Sequence, residues 1–69
     1  MEDYILKIGK LYIDRIETSE YDGETNFVNF IRLTCDPEEA MYVYGYDNAI
    51  KTALLIENII SGEVEVIEK

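Results

Sequence analysis

Apolar side chains recur at every second position near both ends of the chain, which is the period of a β-strand. Residues 4 to 8, YILKI, and residues 11 to 16, LYIDRI, are separated only by Gly9-Lys10. Two such runs joined by a Gly-X pair predict a hairpin with a two-residue turn, because glycine adopts positive φ without strain. Residues 63 to 67, EVEVI, alternate in the same way and predict a last strand.

The segment between these ends predicts a loop followed by a third strand. Residues 17 to 26, ETSEYDGETN, contain four acids and one glycine, which is typical of an exposed turn-forming loop. Residues 27 to 33, FVNFIRL, place apolar groups on both faces of a strand. That pattern favours a central strand, or a strand covered on each side.

Two helix starts follow. Asp36 can cap a short helical turn that begins at Pro37 with Glu38 and Glu39, and residues 41 to 44, MYVY, then predict a brief extended segment. Asp47 is the predicted N-cap of the main helix, which runs to about residue 61 before Gly62 stops it.

The main helix is apolar over an unusually wide arc. At about 100° per residue, a core stripe gathers Ala49, Ala53, Ile56 and Ile60, with Ile50 and Leu54 completing one edge. Leu55 and Ile59 extend the other edge and form the candidate oligomer interface. The alternative is that residues 17 to 26 or the MYVY segment cover this flank.

The order of elements predicts an α+β fold: a small antiparallel or mixed β-sheet of about four to five strands, with one main helix packed on one face. The 69 residues predict a single domain, 1–69. So short a chain buries little surface, and one cysteine without histidine offers neither an internal disulfide nor the usual zinc site. Oligomerisation is the remaining way to add buried surface, which favours a homodimer or higher homo-oligomer.

The charge narrows the range of partners. Fifteen acids against six bases give a formal net charge of −9, so phosphate backbones and anionic membranes should be repelled. We therefore expect no direct nucleic-acid or membrane binding, and attraction to a protein with a basic surface. The N-terminal MEDYILKIGK has no long apolar run, which indicates a cytoplasmic protein without signal peptide or membrane span.

The residues of common active sites are missing. Without histidine or a glycine-rich phosphate loop, and with Cys35 next to acids, the chain predicts no enzyme, no cofactor and no metal site. Cys35 is expected to be a reduced, core or half-buried thiol. The acidic pairs are interpreted as solvated or capping groups.

A candidate partner-binding surface combines tyrosines with acids, because tyrosine supplies contact area at low entropic cost. The tyrosines alternate along one side of the short extended segment, although packing onto the sheet would explain that pattern equally well. The predicted surface comprises Tyr42, Tyr44, Tyr46, Glu17, Glu20, Asp22, Glu24, Glu38 and Glu39.

Residues 34 to 68 resemble the C-terminal half of small uncharacterised phage and prophage proteins of low-GC Gram-positive bacteria. The shared features are a T-x-D-x-x-E-A turn (TCDPEEA), an Asp-capped helix and a G-E-V terminal strand, and the opening YILKIGKLYI is similar as well. The resemblance implies a phage setting and a bacterial host cell, and it carries no catalytic residue.

Charge, size and resemblance together predict a non-enzymatic inhibitor that binds a bacterial host protein of anti-phage defence or nucleic-acid processing. Two alternatives stay open. One is an oligomeric protein that binds or sequesters a nucleotide-like ligand, which would need converging lysine or arginine side chains and would be favoured by a pocket containing Arg15 and Arg32. The other is a structural accessory protein with no soluble ligand.

Overall fold

A computed structural model describes residues 2 to 21 and 25 to 69, without the side chains of residues 21, 25 and 26. It confirms the α+β prediction, with a five-stranded antiparallel sheet and one main helix. The elements in chain order are β1 (Asp3–Ile8), β2 (Leu11–Tyr21), β3 (Thr25–Thr34), a 3-10 turn (Pro37–Glu39), β4 (Val43–Tyr44), α1 (Tyr46–Ile60) and β5 (Glu65–Glu68).

The sheet is organised around β1, along the path β3-β2-β1-β4 with β5 also paired to β1. Tyr4 pairs with one residue of β4 and one of β5, so these two strands lie on opposite sides of β1. Lys7 pairs in the same way with one residue of β2 and one of β5. β2 and β4 therefore share one side of β1, with β2 at its end and β4 at its beginning.

The first hairpin forms as predicted, with Gly9 at φ 59° in the two-residue turn. The two-stranded ribbon formed by β2 and β3, the second ribbon, differs from the prediction. Residues 17 to 21 continue β2 and residues 25 and 26 begin β3, so the predicted 17–26 loop is wrong at both ends; its remaining residues lie outside the description. Pairing with β3 holds this polar stretch in a strand conformation, although its composition alone predicted a loop.

Strand β3 is an edge strand and not the predicted central one: its described pairing is to β2 only. The register shifts twice along the ribbon, leaving Asp14 as an extra residue in β2 and Asn29 as an extra residue in β3. Each shift is a β-bulge, which changes the face on which the following side chains lie.

The core lies between one sheet face and α1. Its buried centre consists of Leu6, Ile13, Ala53, Ile56 and Val64, and half-buried side chains of all three long strands pack around it. Ala49 is also buried, which confirms three of the four predicted core positions of the helix. Ile60 is not among them, because it is the last helical residue and lies partly exposed. Leu54 is also exposed, so its predicted role in the core is wrong.

The helix ends are only partly as predicted. Asp36 caps the 3-10 turn, where its Oδ1 accepts a hydrogen bond from the Glu38 N–H at 2.9 Å. The main helix, however, begins at Tyr46 after Gly45, so Asp47 lies inside the first turn and is not the N-cap. At the other end Ser61 adopts the left-handed conformation, one residue before Gly62.

Cys35 follows β3 directly and is exposed, in contrast to the predicted core or half-buried position. The 3-10 turn that begins two residues later buries none of its own residues.

Candidate protein-binding surface

Aromatic and acidic residues lie close together along the chain ends where β1 begins, Tyr4 and Glu68 on one face of the sheet and Asp3 and Tyr44 on the other. Tyr44 is paired with Asp3, and Tyr4 is paired with Glu68, so each tyrosine has a carboxylate-bearing neighbour on the adjacent strand. Two backbone hydrogen bonds hold this end together, from Gly45 N–H to the Glu2 carbonyl (2.6 Å) and from Lys69 N–H to the Asp3 carbonyl (2.9 Å). We call this group, Glu2, Asp3, Tyr4, Tyr44, Tyr46 and Glu68, the acidic-aromatic end.

The predicted tyrosine stripe divides at Gly45. Tyr42 and Tyr44 are exposed, and Tyr44 is the most open of all described large apolar or aromatic side chains at 70%. Tyr46 is already helical and packs edge-on against Tyr4, with ring centroids 5.5 Å apart and planes at 64°. The three tyrosines therefore do not lie on one side of an extended segment, because the backbone turns at Gly45 with φ 88°.

The potential at this end is negative. Partial burial of the ring raises the pKa of Tyr4, and the carboxylates of Glu68 and Glu2 raise it further by opposing a second negative charge nearby. Tyr46 contributes in the same direction. The same field that opposes ionisation of this phenol would attract a cationic side chain of a partner.

The predicted acids that the structure describes lie on two different elements. Glu38 lies near the acidic-aromatic end, since it forms a 3.4 Å ion pair with Lys69, which follows β5. Glu39 accepts a 3.3 Å hydrogen bond from the Thr34 hydroxyl. Glu17 and Glu20 belong to β2, along the second ribbon, where Glu17 pairs with Arg15 at 2.6 Å. The predicted Asp22 and Glu24 lie outside the described residues.

The two residues of the predicted helix interface differ in exposure. Ile59 is 52% exposed, whereas Leu55 is half-buried. Leu54 is 55% exposed, so it belongs to the outward arc of α1 together with Lys51 and Asn58. The exposed apolar area of the helix is therefore interrupted by polar groups.

A second exposed apolar area lies on β3 and was not predicted from the sequence. Glu17 pairs with Phe30 and Ser19 with Phe27, and cross-strand partners two positions apart share one face. The bulge at Asn29 thus puts both phenylalanines on the same face, where they are 48% and 45% exposed. Uninterrupted alternation placed Phe27 and Phe30 on opposite faces, and no local signal in FVNF marks the bulge.

Arg15 and Arg32, the arginines considered for a nucleotide pocket, are neighbours because they form a cross-strand pair. Each is engaged by an acid, Arg15 by Glu17 and Arg32 by Asp14 at 2.9 Å. A cleft of about 300 Å³ lies elsewhere and is lined by Lys7, Gly9, Glu63, Val64 and Glu65. Its one lysine stands between two carboxylates, a charge balance unsuited to a phosphate group.

Comparison with protein-family models, curated proteins and solved structures gave no match to this chain. Among the described residues, no group of three or more potential ligands is placed to hold a metal ion. The described helices include none with the length and apolarity needed to cross a membrane. The surface chemistry above therefore carries the functional argument.

Proposed function

We propose that this protein is a non-enzymatic binding domain that docks through its acidic-aromatic end onto a basic surface of another protein. The observation that carries the proposal is the concentration of tyrosines and carboxylates at the beginning of β1, where Tyr4 packs against Tyr46 and the exposed Tyr44 is paired with Asp3 on the other face. Tyrosine rings supply apolar contact and bind cationic groups on their faces, while the surrounding carboxylates pair with lysine or arginine.

Most basic side chains of the described residues already interact with acids or rings of the same chain, which favours a binding partner that is itself basic. Arg15, Arg32 and Lys69 each form an ion pair with an acid, and the Lys7 ammonium lies 5.7 Å from the centre of the Tyr12 ring. Three of the six basic residues are thus balanced by an acid, and the exposed Lys10 and Lys51 lie on separate parts of the fold, so little clustered positive charge is left to attract phosphate groups. A negatively charged protein with exposed rings can instead occupy a groove that its partner uses for nucleic acid.

Within this proposal, the partner is a bacterial host protein of defence or nucleic-acid processing, and the protein acts as its inhibitor in the cytoplasm of the host cell. We further propose a homo-oligomeric form, which the docking contact does not require. This setting rests on the resemblance to phage and prophage proteins together with the charge of −9. Electrostatic attraction would give rapid association that weakens steeply as salt rises.

The test is affinity capture from a lysate of low-GC Gram-positive bacteria, followed by binding measurements with each purified candidate. A Tyr44→Ala/Glu2→Gln variant should lose the captured protein. A matched variant, Glu63→Gln, removes one charge away from this end and should retain it. Binding should weaken as salt rises, because the Debye length shrinks from about 30 Å at 0.01 M to about 8 Å at 0.15 M.

Two results would end the proposal. The first is that no basic or nucleic-acid-binding protein is captured. The second is that capture occurs, yet affinity is independent of salt or falls equally in the Glu63→Gln control. Salt independence would indicate an apolar contact, and an equal loss in the control would mean that the site lies outside the acidic-aromatic end.

A further inference from the structure

The open edge of β3 differs in charge from the rest of this acidic molecule. Residues 25 to 34, TNFVNFIRLT, contain no aspartate or glutamate, although the chain has fifteen acids in 69 residues. The single charge of the strand, on Arg32, is balanced by Asp14 of β2 at 2.9 Å. Strand β3 is thus an electrically neutral strip at the margin of a molecule with net charge −9.

In the part of the sheet that the structure describes, β3 has a neighbouring strand on one side only. Its described ladder runs to β2 alone, so its other side presents the N–H and C=O groups of an edge strand. The bulge at Asn29 interrupts one part of this edge and the shift at Asp14 another, and between them the β3 register is continuous over residues 30 to 32. A regular edge of that kind is a template for another strand.

The net charge of the molecule determines which partner strand can pair with the β3 edge. Bringing two copies together at most surfaces would place acids against acids, which costs free energy at every such contact. Pairing β3 with β3 of a second copy avoids that cost, because the facing strands carry no acid. It also aligns the exposed Phe27 and Phe30 of both copies along one face of a continuous sheet, where cross-strand aromatic neighbours stabilise one another.

We propose that two copies of this chain associate through antiparallel pairing of their β3 edges, forming one continuous sheet across a two-fold axis. This interface replaces the helix surface at Leu55 and Ile59, whose apolar area is divided by Lys51 and Asn58. It is independent of the proposed function, because the acidic-aromatic end lies at β1 and stays free in such a dimer.

The experiment compares the molar mass of wild type with two matched variants by light scattering over a range of concentrations. Phe30→Glu puts a carboxylate beside the paired edges, and Leu54→Glu puts one on the outward face of α1; both replace an exposed apolar side chain. We expect wild type and Leu54→Glu to reach twice the 8.0 kDa chain mass. Phe30→Glu should dissociate, with a dissociation constant raised about tenfold or more by like charges facing across the strands.

Salt provides a second readout. Because both copies carry −9, screening should tighten the dimer as salt rises, which is opposite to the response expected of a basic partner. Hydrogen exchange of the wild type tests the edge without any substitution. Amide protection should increase with protein concentration in β3 and stay constant in α1.

Three outcomes would overturn the proposal. They are a monomer at every concentration and salt level, a dimer that Leu54→Glu abolishes and Phe30→Glu retains, and concentration-dependent protection confined to α1. If Phe30→Glu does not fold, hydrogen exchange of the wild type decides alone. A failure here leaves the proposed function untouched, since that function is tested by capture and by Tyr44→Ala/Glu2→Gln.

Discussion

Ile56 and Ile59 lie one turn apart on α1 and give a matched pair for measuring what the sheet-facing side of the helix contributes. Ile56 is fully buried (0% exposed) against Leu6 and Ile13, which are themselves fully buried, whereas Ile59 is 52% exposed. The change to alanine removes the same atoms and gains the same few tenths of a kcal/mol in helix propensity at both sites. Any difference in unfolding free energy therefore reports burial.

We expect Ile56→Ala to cost about 3 to 4 kcal/mol, within the usual range of about 2–5 for such buried truncations, because its rigid neighbours cannot collapse into the cavity. Ile59→Ala should cost about 0.5 kcal/mol: because the side chain is half exposed, only about 1 kcal/mol of a transfer term of about 2 is lost, and the gain in helix propensity offsets about half of that. Stability of about 0.05–0.15 kcal/mol per residue gives roughly 3 to 10 kcal/mol for this chain. Ile56→Ala is therefore near the limit of folding.

The assay is urea unfolding followed by circular dichroism at low protein concentration, where association does not contribute. With a slope of about 1 kcal/mol per molar urea, the two midpoints should differ by roughly 3 M. Ile56→Val, expected to cost about 0.5–1.5 kcal/mol, supplies a graded variant that still folds. Equal losses for Ile56→Ala and Ile59→Ala would show that the helix faces the sheet differently, and would refute the core described above.

Two further predictions concern the acidic-aromatic end. Burial and nearby carboxylates raise the pKa of Tyr4 in the folded state, so its contribution to stability is complete below about pH 10, the unfolded-state value, and is lost as pH rises through the folded value. Urea midpoints should therefore fall more steeply above that pH in wild type than in Tyr4→Phe; parallel curves would contradict this. Gly45→Ala should cost about 1–3 kcal/mol, because φ 88° and ψ 135° strain any residue with a Cβ. The new methyl would meet only Asn48, at an ordinary 3.6 Å, and the same urea assay should show Gly62→Ala to be nearly neutral.

Local sequence signals predicted the elements that are determined by interactions between residues close together in the chain. The Gly9-Lys10 turn needs a residue with positive φ, and the Asp36 side chain reaches the Glu38 N–H two residues ahead. The helix stripe of Ala49, Ala53 and Ile56 follows from the helical period alone. Each of these features is decided within a few residues of the chain, so composition and spacing are sufficient to find it.

Non-local pairing decided the features that the sequence did not predict. Residues 17 to 21 are polar and loop-like by composition, yet they form a strand because β3 pairs with them. The extra residue at Asn29 exists only relative to β2, so Phe27 and Phe30 cannot be placed on one face by reading β3 alone. Ile60 follows the helical period as well as Ile56 does, but the helix ends there, so the residue stays partly exposed.

The distribution of charge joins these unpredicted features to the two proposed contacts. The acidic-aromatic end has the carboxylates of Glu2, Asp3 and Glu68 around its rings, whereas β3 has apolar side chains and no acid. Added salt should therefore weaken the first contact and strengthen the second. The opposite signs follow from the charges of the two partners, one basic and one a second copy of −9. The variants test whether the surfaces are separate: Tyr44→Ala/Glu2→Gln should weaken capture and leave the dimer intact, and Phe30→Glu should do the reverse.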